Sequence, residues 1–246
     1  AAAALANHLR NEEADRQAAA ELKRLLKLDA PPRRIEGFDI SNTMGQESVA
    51  SFVVWEEGRA RKADYRKFRI KTVAGANDFA SMKEVVARRY GESERLALPD
   101  LVVIDGGLGQ LAAAMEGLKE ADHPDLPIIG LAKAKGDKEE RIFLPGRKNP
   151  IILPPSSPST LLLTRLRDEA HRFAITYHRK LRGKALLSSE LDRIIGVGKI
   201  RRNTLLKKFG SLAGIAAATD AQLREAGLDA RTTAAVRKAL AGSAAR

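Results

Sequence analysis

The run Leu101-Val102-Val103-Ile104, closed by Asp105-Gly106-Gly107, constrains this chain more than any other stretch. A strand that is apolar at every position has no solvent face, so it belongs in the middle of a sheet with helices packed on both sides. A helical pattern from about Asp78 to Tyr90 precedes it and another from about Leu108 to Glu120 follows. Pro127-Ile128-Ile129-Gly130-Leu131 then supplies another buried strand. Upstream, Arg34 to Ser41, Ser48 to Glu56 and Ala60 to Lys71 read as an antiparallel meander, the last two strands joined at a Glu57-Gly58 turn. Three paired strands followed by alternating helices and strands predict an α/β fold, a mixed sheet flanked by helices.

Residues 4–28 read as a lead-in helix that Pro31-Pro32 ends, packing on the next domain. The segment Lys133 to Pro158 reads as loops around short strands near Arg141-Ile142-Phe143 and Pro150-Ile151-Ile152. A long helix then runs to about Gly183, and Gly183 to Ser189 reads as a linker. The expected divisions are 1–32, 33–185 and a small all-α domain over 186–246. In that tail, Leu191 to Leu212 and Ile215 to Leu240 are two rounds of helix, glycine turn and helix.

The absence of cysteine removes thiolate nucleophiles, disulfides and Cys-ligated zinc. With 43 Lys and Arg against 31 Asp and Glu, the charge favours a polyanionic partner, the plain alternative being a basic soluble protein. No stretch approaches the roughly 18 apolar residues of a membrane span. Ala1 to Ala6 lacks a basic leader, so a cytoplasmic protein with no membrane contact is expected. The first residue is not Met and the chain opens in a charged helix, which suggests a piece of a longer protein.

Asp105 stands at the carboxyl end of the central strand, where open sheets bind ligands; a turn or helix-cap aspartate is the alternative. Asp39 sits inside a strand, where carboxylates are disfavoured, and a buried carboxylate calls for a cation. Two carboxylates on neighbouring strands suit hard divalent ions such as Mg²⁺ or Mn²⁺. Two such ions roughly 4 Å apart can drive phosphodiester hydrolysis. Asp78 begins a helix and reads equally as an N-cap aided by Asn77 or as a further site acid. His171 lies at the border of the stripe Leu162, Leu166, Ala170, Phe173, Ala174, Tyr177 and Leu181. A half-buried structural role suits it too, and His178, seven residues on, shares its face. Gly106-Gly107-Leu108-Gly109-Gln110 lacks the spacing of a dinucleotide loop, and Lys135-Gly136-Asp137-Lys138 is no phosphate loop.

In the tail, Gly196 and Gly198 form a Gly-x-Gly turn followed by Lys199, Arg201 and Arg202, a pattern suited to a DNA backbone phosphate. Gly227 marks the second turn.

Phe38-Asp39-Ile40-Ser41-Asn42, Gly75 to Met82, Ile104 to Gln110, Ile152-Leu153-Pro154 and Arg167 to Ala174 together closely resemble the C-terminal half of UvrC, the bacterial nucleotide excision repair endonuclease, over residues 33–246. The resemblance implies a ribonuclease H-like fold followed by a tandem helix-hairpin-helix domain. It also implies 5′ incision of damaged double-stranded DNA, with UvrB as partner and UvrA upstream. It maps an Asp-Asp-His triad onto Asp39, Asp105 and His171, choosing His171 over His178, and a further acid onto Asp78. Metal ligation falls to Asp39 and Asp105, with His171 completing the shell or relaying a proton. The family's GIY-YIG nuclease domain and UvrB-contacting segment are not in this sequence, so 3′ cutting is expected to be missing and recruitment weakened. The first hairpin has Ile195-Gly196 where the family usually has Pro-Gly, and the second, Ala226 to Asp229, lacks a second glycine. A non-catalytic DNA-binding module of a repair complex is the competing reading.

Overall fold

The computed structural model describes the backbone of residues 2–41, 49–73, 77–91, 97–133 and 139–241, and their side chains except at 2–11, 177–188 and 241. Asn42, Ser48, Gly75, Ala76, Lys135 to Lys138 and the His178 side chain lie outside the described residues.

Strands β1 (Arg34–Ser41) and β2 (Val49–Glu56) pair antiparallel, Arg34 opposite Glu56 and Ser41 opposite Val49. The turn after β2 places Glu57 at φ 49° and Gly58 at φ 74°, the left-handed pair a tight hairpin requires. The stretch from Ala60 to Lys71, expected as one strand, is instead β3 (Arg59–Ala60) and β4 (Arg66–Arg69), separated by a 3-10 turn at Lys62–Asp64. Asp64 pins that turn: its carboxylate accepts from Arg34 Nη1 at 3.1 Å and pairs with Arg61 Nε at 3.1 Å.

Next come α2 (Asp78–Gly91), β5 (Leu101–Asp105), α3 (Leu108–Glu120) and β6 (Ile128–Lys133). Strands β1, β5 and β6 run parallel, and β7 (Glu140–Phe143) and β8 (Ile151–Leu153) return antiparallel. The mixed sheet has the order β3-β2-β1-β5-β6-β7-β8, with β4 also on β2.

Side chains alternate across the sheet, so its faces build separate cores. Ile35, Val53, Val103 and Leu131 pack under Ala18 and Leu22 of α1 (Ala2–Leu26) and Leu162, Leu163 and Leu166 of α4 (Pro158–Asp192). Phe38, Phe52, Val102 and Ile104 pack under Met82, Val85, Leu111 and Leu118 of α2 and α3. Central strand β5 is thus buried on both faces, as its composition requires. The lead-in helix does pack on this domain: Glu21 accepts from the Ser159 N–H at 3.0 Å, and Asp15 pairs with Arg165 at 2.5 Å.

Helices α2 and α3 approach closely at Gly117, where an added Cβ would stand 2.6 Å from the Lys83 carbonyl oxygen and 3.1 Å from the Ala87 nitrogen. Backbone cannot yield as a side chain can. Gly117→Ala is therefore expected to cost about 1–3 kcal/mol in a denaturant titration; an unchanged midpoint would contradict this packing.

Helix α4 does not stop at Gly183. It continues to Asp192, so the expected linker at 183–189 is helical. One glycine costs a helix only about 1 kcal/mol, and Lys184-Ala185-Leu186-Leu187 favours helix. The chain divides into compact units at 1–176 and 177–246. In the second, α5 (Lys199–Phe209), α6 (Leu212–Ala217), α7 (Asp220–Glu225) and α8 (Ala230–Ala241) enclose Leu205, Ile215, Leu223 and Val236.

Candidate active site

Register places the two acids. Phe38 pairs with Ile104 across parallel strands, so Asp39 and Asp105 are the next neighbours, on strands about 5 Å apart. Both follow Gly37 and Val103 by two residues and thus face α4. Helix α4 lies flat on this face because Gly37 has no side chain: a Cβ there would meet Leu166 Cγ at 3.1 Å. Asp39 is buried, and its Oδ2 accepts from the Ser41 hydroxyl at 3.1 Å. His171, one turn beyond Leu166 and Arg167, brings Nδ1 to 3.8 Å from Asp39 Oδ2 while its side chain stays 63% exposed. The sequence-expected triad is brought to one end of the sheet.

Burial first, and then the charge of Asp39, push the Asp105 carboxyl up to about 6. Arg167 and His171 oppose that rise and Glu140 adds to it. Two carboxylates side by side with little solvent are a strained anionic pair. Because the folded-state pKa lies above the unfolded value, the folded chain holds a proton that the unfolded chain has released between about pH 4 and 6. Stability therefore falls as pH rises through that window, and the penalty is complete above it. Asp105→Asn is expected to raise stability by of order 1–2 kcal/mol at pH 7.5, allowing for partial exposure, and to give little gain at pH 4. Thermal melts at both pH values check this.

Two site residues escaped the sequence reading. Arg167 lies on a helix rich in basic residues, yet its side chain is only 14% exposed and its Nη1 lies 2.5 Å from Glu140 Oε2. Glu140 is buried on β7, across from Lys133. The available signal was spacing: Arg167 is one helical turn before His171.

Asp78 is less closely tied to the pair. Asn77 takes the cap position, its Oδ1 accepting from the Ala80 N–H at 3.1 Å, and Asp78 opens α2 on the opposite face of the sheet. It does lie towards the same sheet end: a Cβ on Gly109, at the start of α3, would meet the Phe79 ring at 2.6 Å. Gly106 adopts φ 156° to leave β5, and its carbonyl oxygen would stand 2.8 Å from a Cβ at Gly130. Among the described residues, no three of His, Asp or Glu form a ready-made metal cluster.

In the second unit, Gly196 and Gly227 take the same left-handed turn, at φ 93° and 91°, and Val197 and Leu228 are buried behind them. The turns then differ. Gly198 caps α5 with no side chain and so no side-chain cap bond, beside exposed Lys199, Ile195 and Ile200. In the second turn Asp229 fills the equivalent place, accepting from the Thr232 N–H at 2.7 Å, a bond that holds its carboxyl below the usual range. Arg201 is spent on this frame, donating to the Gly196 carbonyl at 2.9 Å and to Asp229 at 3.0 Å. Arg202 pairs with Asp192 at 2.5 Å. Lys199 stays exposed at the first turn.

No described helix is long and apolar enough to cross a membrane. A family model described as the UvrC RNAse H endonuclease domain matches residues 23–175. UvrABC system protein C of Bdellovibrio bacteriovorus is 50% identical over 202 residues, 78% of this chain and 32% of that protein. The Geobacter metallireducens protein of the same name is 48% identical over 234 residues, 91% of this chain and 38% of that protein. The chain thus spans about a third of the length of these relatives. Endonuclease V of Ciona intestinalis, solved with a 24mer DNA containing an inosine, aligns with 74% of this chain at TM-score 0.42 and 12% identity, too loose a likeness to carry an argument. The match over residues 23–175 and the near-half identity to these relatives agree with the mixed sheet and its flanking helices, and the chain belongs to the UvrC family, carrying its RNase H endonuclease domain.

Proposed function

We propose that the chain makes the 5′ incision of bacterial nucleotide excision repair, cutting damaged double-stranded DNA in the cytoplasm after UvrA and UvrB have located the lesion. The observation that carries this reading is the juxtaposition of Asp39 and Asp105 on adjacent parallel strands, under α4, with His171 at their border.

The donor set fits a divalent ion. Two neighbouring, largely desolvated carboxylates, one already pushed up by the other, are relieved by a hard cation such as Mg²⁺ or Mn²⁺. Asp39 and Asp105 would hold it, with His171 completing the shell or relaying a proton. When bound, such an ion polarises a phosphodiester and acidifies a water. The chain's own residues do the rest. Ser41 fixes the rotamer of Asp39, and Glu140 fixes Arg167, whose charge offsets the acid pair. His171 is exposed enough to meet substrate and to hand a proton to the leaving oxygen. Asp78 enters as a peripheral acid. The tail acts as a tandem helix-hairpin-helix module, gripping backbone phosphate at Gly196, Gly198 and Lys199, with Arg201, Arg202 and Gly227 shaping the frame.

The test is nicking of a lesion-bearing duplex by the full-length protein together with UvrA and UvrB. The 5′ nick is expected to disappear with a chelator and return with Mg²⁺ or Mn²⁺. A 5′ nick that persists in chelator would overturn the metal-assisted reading.

A further inference from the structure

The strand register that places Asp39 also places a cation beside it. Asp39 pairs with Ser51 on β2, and Ser51 pairs with Lys67 on β4. Residues opposite one another in a sheet share a face, so Lys67, Ser51 and Asp39 form one row beneath α4, continued by Asp105. Lys67 Nζ lies 4.1 Å from the centroid of the Phe173 ring, and Phe173 is two residues beyond His171 on α4. Tyr65 holds that ring edge-on, with centroids 5.2 Å apart. The ammonium is thus set by an aromatic face at the border of the acid pair, on the side away from Arg167 and Glu140. Between Lys67 and Asp39, the Ser51 hydroxyl is buried, its residue 1% exposed, and has no hydrogen-bond partner among the described residues. A buried donor left unmatched is costly, which marks this row as a place where a ligand oxygen is accommodated.

We infer that Lys67 is a substrate-positioning residue that takes the phosphodiester flanking the scissile one, with Phe173 fixing its ammonium and Ser51 offering a donor in the same row. This rests on the nuclease reading above and adds a subsite to it. A lone lysine on a strand edge would be only a solvated charge; the register, the ring and the buried hydroxyl make it part of the site. The row also gives the strand a direction. The scissile phosphate sits over Asp39 and Asp105, and its neighbour lies towards β4.

The experiment uses the full-length protein with UvrA and UvrB on a lesion-bearing duplex, comparing Lys67→Gln, Lys67→Arg and the parent. Each is assayed on all-phosphate DNA and on DNA with one neutral methylphosphonate one or two positions to either side of the 5′ nick. On all-phosphate DNA, Lys67→Gln is expected to raise KM about tenfold with a smaller change in kcat, and Lys67→Arg to restore most of the loss. Removing one phosphate contact should also lower the slope of log affinity against log salt by about 0.9. At one of the methylphosphonate positions the Lys67→Gln defect should vanish, because the partner charge is already gone. The inference is overturned if the defect is the same at every position, or if Lys67→Gln has no effect while Asp39→Ala abolishes the nick. If Asp39→Ala leaves the nick intact, it is the nuclease reading that fails.

Discussion

Glu36→Ala is expected to destabilise the sheet domain by roughly 3–5 kcal/mol, because it removes a carboxylate shared by two buried guanidiniums. Glu36 is fully buried on β1. Its Oε1 accepts from Arg89 Nη2 at 2.7 Å and from Arg34 Nε at 3.1 Å, and its Oε2 accepts from the Tyr90 hydroxyl at 2.9 Å. Arg34 and Arg89 are themselves only 6% and 4% exposed, so neither can turn to water when the acid is removed. Arg34 retains Glu56 and Asp64 at 3.2 and 3.1 Å; Arg89 keeps only the Ala97 carbonyl, at 3.0 Å, among the bonds described here, so its desolvated charge dominates the cost. Glu36→Gln should cost less, since it keeps the shape and one acceptor while losing the charge. Replacing Glu36, Arg34 and Arg89 together by apolar residues of similar volume should recover much of the loss, because the penalty lies in unpaired charge. Denaturant titrations of the three variants measure these differences, and a Glu36→Ala cost below about 1 kcal/mol would contradict the assigned network.

The same network shows where sequence reasoning reaches its limit. An acid inside a strand signals a nearby cation, and that argument singled out Asp39, which the structure buries on β1. Glu36 satisfies the same argument three residues earlier, yet its cations are arginines, one of them 53 residues away. Local pattern does not carry such pairings. The turn at Lys62–Asp64 is pinned in the same way, since Asp64 accepts from Arg34 thirty residues upstream. By contrast, β5 and Asp105 were legible because a strand buried on both faces leaves its mark in consecutive residues. Helices α2 and α3 were legible because each buries one stripe. His171 and His178 share a helical face, and only the family motif Arg167 to Ala174 separates them. Glu140 stayed hidden because its meaning depends on Arg167, which lies on another element 27 residues away.

On the proposed nuclease reading, Asp39 and Asp105 carry the largest functional effect. Removing either carboxylate withdraws a donor from a site whose electrophilic assistance is worth several kcal/mol, and each 1.36 kcal/mol is tenfold in rate. A loss of at least about 10³-fold in 5′ incision follows for Asp39→Ala and for Asp105→Ala. The two should be far from additive in the double variant, because they act on one centre. Binding to the lesion complex should be nearly unchanged, since the proposed DNA grip lies in the cations. Stability separates the pair further: Asp105→Asn should be inactive yet more stable at pH 7.5, the signature of a residue kept for chemistry at a cost to the fold.

The most direct measurement is strand-resolved nicking of a lesion-bearing duplex by the full-length protein with UvrA, UvrB and Mg²⁺, comparing the parent with Asp39→Ala and Asp105→Ala. In both variants 5′ nicking is expected to disappear while 3′ nicking continues. Undiminished 5′ nicking in either variant would contradict the assignment of Asp39 and Asp105 to the 5′ incision.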